Sequence, residues 1–333
     1  VDVSPATSVG HLWLVDFRCL RDVDVEIGPG LTVLEGANGQ GKTSVLEAVG
    51  WVARARSFRA VNDTALVRAG AEQAIVRAEV NTGDRRQLFE AEVRVTGRNR
   101  ILCNKQVVSR ARDLHGLLRV TVFAPDDLAL VKDGPAARRT YLDELLAMLA
   151  ARYDAARADY ERVVKQRNAL LRSRMRDGDA LTTLDVFDEQ LVVAATELVR
   201  GRLRLVDRLA PAVDAAYRSL AGMDGHVAAV YEANWAEDVV AADDSPAGVA
   251  DQLRAALAAR RRQEIDRGLT LVGPHRDEWK LSIDELDART QSSQGEQRTL
   301  ALAMRLAGHA VVTELTDVAP VLLLDDVFSE LDA

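Results

Sequence analysis

Gly36-Ala37-Asn38-Gly39-Gln40-Gly41-Lys42-Thr43 fits the pattern G-x-x-x-x-G-K-[ST], and its neighbours are of the kind that pattern requires. The apolar run Leu31, Val33, Leu34 before it reads as a strand, and Ser44-Val45-Leu46-Glu47-Ala48-Val49 after it reads as the opening of a helix. Glycines let such a loop wrap closely around phosphates, so that backbone N–H groups and the positive end of the helix face the anion. Lys42 is then placed to meet the β- and γ-phosphates, and Thr43 to offer a hydroxyl to Mg²⁺. Residues Gly36 to Ser44 are thus expected to bind a nucleoside triphosphate.

Near the other end, Val321-Leu322-Leu323-Leu324-Asp325-Asp326 is four apolar residues followed by two carboxylates. Such a run reads as a strand buried on both faces that delivers acids to its C-terminal edge. A metal-holding Asp belongs there in a P-loop enzyme. Asp325 is therefore assigned to Mg²⁺, held through water, and Asp326 to the attacking water, which it orients or deprotonates. Taken alone, the same run reads equally well as a core strand ending in a helix-capping Asp pair. Ser329-Glu330-Leu331-Asp332 follows at once, and Ser293-Gln294-Gly295-Glu296-Gln297 lies upstream. By itself the latter is a good helix start, with a capping Ser or Gln and a Glu in the first turn.

Phosphate loop, S-x-G-[QE] segment, acidic strand and S-x-L-D loop, in that order, resemble the motif set of the ATP-binding-cassette ATPases. The resemblance implies an α/β fold with ATP and Mg²⁺ as ligands, and a mechanism that one chain cannot complete. Ser293, Gly295 and Glu296 of one protomer would close over the γ-phosphate held by Lys42 of another, burying two ATP molecules in a head-to-tail dimer. Donors aimed at developing phosphate charge are how such sites accelerate transfer. Lys42 and Asp326 carry the catalytic roles in this reading.

The branch of that class follows from the middle of the chain. Thr43 and Ser293 are 250 positions apart. The gap is roughly half that in transporter cassettes, and in chromosome-organising ATPases it holds hundreds of coiled-coil residues, as the resemblance goes. Here apolar positions at 142, 146, 149, 153, 156, 160, 163 and 170 alternate by four and three, interrupted by Arg167. A second run takes Phe187, Leu191, Ala194, Leu198 and Leu205. Sustained spacing near 3.5 residues predicts helices meeting along a seam, with a turn across 172–180. A short antiparallel arm and a plain helical subdomain both satisfy it.

Local wording points further. Leu12-Trp13-Leu14-Val15-Asp16-Phe17-Arg18, the phosphate loop, Phe123-Ala124-Pro125-Asp126-Asp127-Leu128 through Asp143, Gly273-Pro274-His275-Arg276-Asp277 and Leu323 to Asp332 resemble the RecF recombination mediators over residues 11–333. That resemblance implies an ABC-type P-loop head with an antiparallel β lobe and an inserted helical arm. The expected divisions are 11–136 and 269–333 for the head and 137–268 for the arm. It also implies an ATP-dependent homodimer on single-stranded, gapped or junction DNA, working with RecO and RecR to load a recombinase, with slow hydrolysis resetting the clamp. A further helix, strand and His-bearing switch loop are expected beyond Ala333. A transporter's nucleotide-binding subunit and a chromosome-organising ATPase head are the alternative functions.

Composition sets the remaining bounds. At 333 residues and 48% hydrophobic, the chain is long enough for a large core and a second lobe. No apolar stretch approaches the ~18 residues of a membrane span, and no secretory pattern opens the chain, so a cytoplasmic protein with no membrane partner is expected. Cys19 and Cys103 have no metal spacing and read as reduced thiols. The formal charge of −8 is the wrong sign for a protein that coats nucleic acid over its whole surface. Residues 85–112 nevertheless hold eight basic residues against two acidic ones. Arg94, Arg98, Arg100 and Lys105 on a strand–turn–strand ribbon are the candidate DNA contacts, with Arg167, Arg172, Arg174 and Arg176 near the arm's turn. Each cluster, taken alone, also reads as a solvated face.

Overall fold

The computed structural model describes residues 6–59, 61–110, 113–114, 116–173, 178–222, 225–235 and 245–327. They form two compact units, one comprising the chain up to Asp127 together with Arg305 onward, the other Leu128–Met304.

In the first unit, six strands make an antiparallel sheet: β1 (Thr7–Phe17), β2 (Leu20–Glu26), β3 (Gln73–Thr82), β4 (Arg85–Arg94), β5 (Arg100–Cys103) and β6 (Gln106–Val107), in the order β2-β1-β3-β4-β5-β6. Alternation puts Leu12, Leu14, Val76, Ala78, Val80, Phe89, Ala91 and Val93 on one buried face. That face shares a core with Ala48, Trp51 and Val52 of helix α1 (Lys42–Arg54). Two further strands, β7 (Val120–Phe123) and β11 (Val321–Leu324), pair in parallel and add Val120, Val122 and Leu323 to the same core. Parallel pairing brings both C-terminal ends to one edge, with Leu324 opposite Phe123 and Asp325 N bonded to Phe123 O at 2.8 Å.

One expected strand is not formed. Residues 31–35 carry no ladder, and Leu31 and Val33 are 87% and 65% exposed. Apolar content signals burial or extension, whereas a strand also needs a neighbour, and no described strand pairs with this run.

The second unit is mainly helical: α2 (Ala129–Lys132), α3 (Pro135–Leu149), α4 (Ala151–Arg172), α5 (Gly178–Ala221) and α6 (Pro246–Arg267), with α7 (Gln294–Thr316) starting here and ending in the first unit. Pro135 occupies the first turn of α3, where its missing N–H costs no helical bond. The apolar repeat from 142 to 170 is split, because Ala150 adopts φ −159 and ψ 137 and separates α3 from α4. The stretch 137–268 is also not wholly helical. It contains β8 (Val227–Glu232), which joins β9 (Glu278–Ile283) and β10 (Leu286–Asp287) in a small antiparallel sheet.

The seam between α4 and α5 forms as the spacing predicts, with Tyr160, Val163, Leu191, Ala195 and Leu198 in one core. Arg167, expected near a solvated turn, is instead fully buried. It bonds Asp188 of α5 at 2.7 Å, Glu264 of α6 at 2.6 Å and Thr270 Oγ1 at 3.0 Å. A cation that interrupts an apolar repeat is thus a core residue whose acceptors come from other helices. Arg174, Arg176 and Arg112 lie outside the described residues, as does the S-x-L-D loop at 329–332.

Candidate functional site

The phosphate loop joins a left-handed glycine to a helix without a side-chain cap. Gly41 (φ +96) is the N-cap of α1, and no acidic residue stands in the first turn. The first N–H groups of a helix have no intrahelical partner, and the macrodipole leaves that end positive. Lys42, Thr43 and Ser44 therefore present donors and positive potential that no side chain of the helix start answers. A Cβ at Gly41 would stand 2.7 Å from Leu20 Cδ2, and one at Gly36 (φ +153) would stand 2.5 Å from Gln40 Oε1, so both positions exclude larger residues. Gln40 Oε1 accepts from Ala37 N at 3.1 Å and closes the loop on itself, while Asn38 and Gly39 are exposed at its tip.

Lys42 Nζ donates to Gly36 O at 2.7 Å and Ala37 O at 3.1 Å. An ammonium has three donors, so the amine bridges the loop with one to spare. Thr43 Oγ1 donates to Asp325 Oδ1 at 2.8 Å across 282 positions of sequence. That contact sets a neutral oxygen and a carboxylate oxygen side by side, a donor set that suits a hard divalent cation such as Mg²⁺. The glycine cradle and these two oxygens fit a nucleoside triphosphate with its metal. Asp326 follows at φ +54 and is exposed, a left-handed conformation that Asp tolerates better than most residues.

The Ser293 segment forms a reciprocal capping box at the start of α7. Ser293 Oγ accepts from Glu296 N at 3.2 Å, and Glu296 Oε2 accepts from Ser293 N at 2.7 Å. Helix capping therefore accounts for Ser293 and Glu296 within the chain itself. It does not account for Gly295, which is exposed and where an added Cβ would meet no atom within 4 Å.

The basic ribbon is less basic than its sequence. Arg94 pairs with Glu92 at 2.8 Å, Arg77 with Glu90 at 3.2 Å, and Arg86 with Glu79. Arg98, Arg100 and Lys105 are exposed and make no ion pair among the described residues. Arg98 and Arg100 stand at the β4–β5 turn and Lys105 at the β5–β6 turn. They flank a strand on the order of 10 Å long rather than forming one cluster.

Two polar assemblies had no signal in the sequence. One joins Arg18 to Glu47 beside the phosphate loop. The other surrounds Asp277, buried in the second unit, which accepts from Trp235 Nε1 at 2.7 Å and from Tyr231 Oη. Burial pushes the Asp277 carboxyl up to about 6, with Arg202 opposing the shift. Nearby, His275 Nε2 lies 3.2 Å from Thr270 O, an acceptor only, so that nitrogen carries the proton. Nδ1 then accepts from Tyr160 Oη at 2.5 Å. Burial pulls the His275 imidazole down to about 4. An unfolded chain protonates this histidine below about 6.5 while the folded one does not, so stability falls as pH drops from 6.5 towards 4. Between pH 7 and pH 5 the parent should lose roughly 2 kcal/mol more stability than His275→Gln. Asp277 acts in the opposite sense, its contribution being lost as pH rises to about 6, but it does so in both proteins. Urea denaturation at the two pH values measures the difference, and equal losses would mean that His275 titrates normally.

The family model for the RecF/RecN/SMC N-terminal domain matches residues 8–333. A DNA replication and repair protein RecF from Frankia alni is 49% identical over 331 residues, 97% of this chain and 86% of that protein. Its counterpart from Streptomyces avermitilis is 45% identical over 330 residues, 97% of this chain and 87% of that protein. Among solved structures, that of the recombination mediator protein RecF–ATP in the RecFOR pathway superposes with a TM-score of 0.90 at 28% identity, covering 98% of this chain and 88% of the other. With a phosphate-loop cradle closed onto an acidic strand, and relatives of this identity over nearly its whole length, the chain belongs to the RecF family of DNA replication and repair proteins.

Proposed function

We propose that this protein is an ATP-dependent DNA-binding switch of recombinational repair, with Mg²⁺ as cofactor and with RecO and RecR as partners in loading a recombinase onto gapped DNA. The observation that carries the reading is the 2.8 Å contact between Thr43 and Asp325, which joins the loop suited to phosphate to the strand suited to metal. The RecF–ATP structure of the RecFOR pathway supports ATP as the nucleotide and RecO and RecR as partners.

In this reading Lys42 offers a point charge to the β/γ-phosphates, and the N–H groups of residues 36–44 line the cradle. Thr43 and Asp325 would hold the cation. Bound there, ATP with its metal would supply the phosphoanhydride and its negative charge. Asp326 orients or deprotonates water, and Ser293, Gly295 and Glu296 reach the partner protomer's nucleotide. The open space at Gly295 supports that last role, since a glycine unneeded within its own chain suits close approach by another molecule. ATP drives dimerisation only if it binds the dimer more tightly than the monomer. Arg94, Arg98, Arg100 and Lys105 are the proposed DNA contacts, with Arg94 weakest because Glu92 already holds it. Hydrolysis is slow, DNA-stimulated and resets the switch.

Co-sedimentation with gapped DNA tests the reading, with expected retention in ATP and release without it. Equal retention in both conditions would separate DNA binding from the nucleotide. Asp326→Asn should keep ATP affinity and lose hydrolysis, because an amide hydrogen-bonds water without taking its proton. Size-exclusion chromatography should then show an ATP-trapped dimer. Hydrolysis at the parent rate would make Asp326 a turn residue alone.

A further inference from the structure

Behind the phosphate loop lies an ion pair whose carboxylate is buried and whose guanidinium is partly exposed. Arg18 stands in the turn between β1 and β2 at φ +55. Its Nε and Nη2 donate to the two carboxylate oxygens of Glu47, at 2.8 and 2.7 Å, and Glu47 is fully buried on α1. Ser57 Oγ donates a third bond to the same carboxylate. The turn is tied down as well, through Arg18 N to Leu66 O at 2.7 Å and Arg18 Nη1 to Ala65 O at 3.0 Å. The next two residues, Cys19 and Leu20, press on the phosphate loop: a Cβ at Gly41 would lie 3.0 Å from Cys19 Sγ and 2.7 Å from Leu20 Cδ2. One turn of chain therefore touches both Gly41 and the helix that Gly41 feeds.

We infer that the Arg18–Glu47 pair positions the phosphate loop, clamping the β1–β2 turn to α1 so that Cys19 and Leu20 hold Gly41 in its left-handed conformation. The inference rests on the nucleotide reading of that loop. A loop already in its binding shape loses no affinity to reordering, whereas one that holds the shape a fraction of the time binds more weakly by that fraction. Neither side chain need touch the ligand for this to operate.

The test uses the full chain, with Arg18→Gln, Glu47→Gln, the double variant and Arg18→Lys, each titrated calorimetrically with ATP·Mg²⁺ well below its melting temperature. Each single Gln variant should weaken ATP affinity about tenfold, and the double variant no further, because both remove one device. Arg18→Lys should recover part of the loss, since it restores the charge without the two-pronged bond. Hydrogen–deuterium exchange of the Arg18 amide, held by Leu66 O at 2.7 Å in the parent, should be faster without nucleotide in both Gln variants, reporting release of the turn independently of ATP. A lower melting temperature with unchanged affinity and unchanged exchange at Arg18 would overturn the inference. Loss in Arg18→Gln but not in Glu47→Gln would also overturn it, by showing that Arg18 meets the nucleotide directly. Should Glu47→Gln fail to fold, Ser57→Ala removes one donor of the same carboxylate and should show a smaller loss in the same direction. A parent chain that binds no ATP, together with accelerated exchange at Arg18 in the variants, would refute the nucleotide reading and leave the clamp standing.

Discussion

Replacing Lys42 with alanine should weaken ATP·Mg²⁺ affinity by about a hundredfold or more and abolish ATP-dependent dimerisation and DNA retention. The amine sits across the mouth of the loop with two bonds to loop carbonyls, at 2.7 and 3.1 Å, and a third donor to spare. Hydrogen bonds to charged groups contribute about 1.5–3 kcal/mol each, so the spare donor, with one turned from the loop onto a second phosphate oxygen, amounts to about two orders of magnitude or more in affinity. Lys42→Arg should be nearly as harmful, because a planar fork does not replace a compact charge in a tight cradle. Isothermal titration decides the matter. Undiminished affinity in both variants would refute the phosphate-loop assignment.

Ser293→Arg should leave the monomer's ATP affinity intact and abolish ATP-induced dimerisation, because bulk at this position blocks a partner's γ-phosphate. The capping box adds a control. Ser293→Ala loses the bond to Glu296 N and should cost about 1 kcal/mol of stability, and, losing a donor without adding bulk, it should weaken dimerisation and not abolish it. Thermal melts should therefore shift in both variants, and sedimentation far more in Ser293→Arg. Mixing Ser293→Arg with Lys42→Ala sharpens the test, since their heterodimer holds one intact composite site beside one doubly damaged site. Partial dimerisation of the mixture, where neither variant dimerises alone, is the expected result. Weaker nucleotide binding by monomeric Ser293→Arg with dimerisation unchanged would mean that the segment acts within its own chain.

The features legible in the sequence were those whose chemistry is local. A phosphate loop declares itself because backbone shape, charge and hydroxyl sit within eight positions, and an acidic strand because four apolar residues end at two carboxylates. The meeting of Thr43 with Asp325 was implied by the pairing of those motifs, not by either alone. Elements that depend on distant partners are less legible. Residues 31–35 look like a strand by content but lack a described neighbour. The break at Ala150 is silent because alanine is the best helix former and carries no stop signal. β8 was lost inside a helical region because six residues are too few for periodicity to separate strand from helix. Glu47 carries no local signal of its role, because its partner lies 29 positions upstream.

Arg167 bears on how the helical unit responds to load. Its guanidinium reaches acceptors on α5, on α6 and on the segment after α6. An apolar seam lets two helices slip by a turn with little penalty, since one leucine-sized contact replaces another. Slippage here would strand a fully buried cation without its carboxylates, and removing one partner of such a pair costs about 3–5 kcal/mol. The charge thus works as an indexing pin, permitting a single alignment of three helices. Strain on these three helices is then met by one fixed register and not absorbed as sliding.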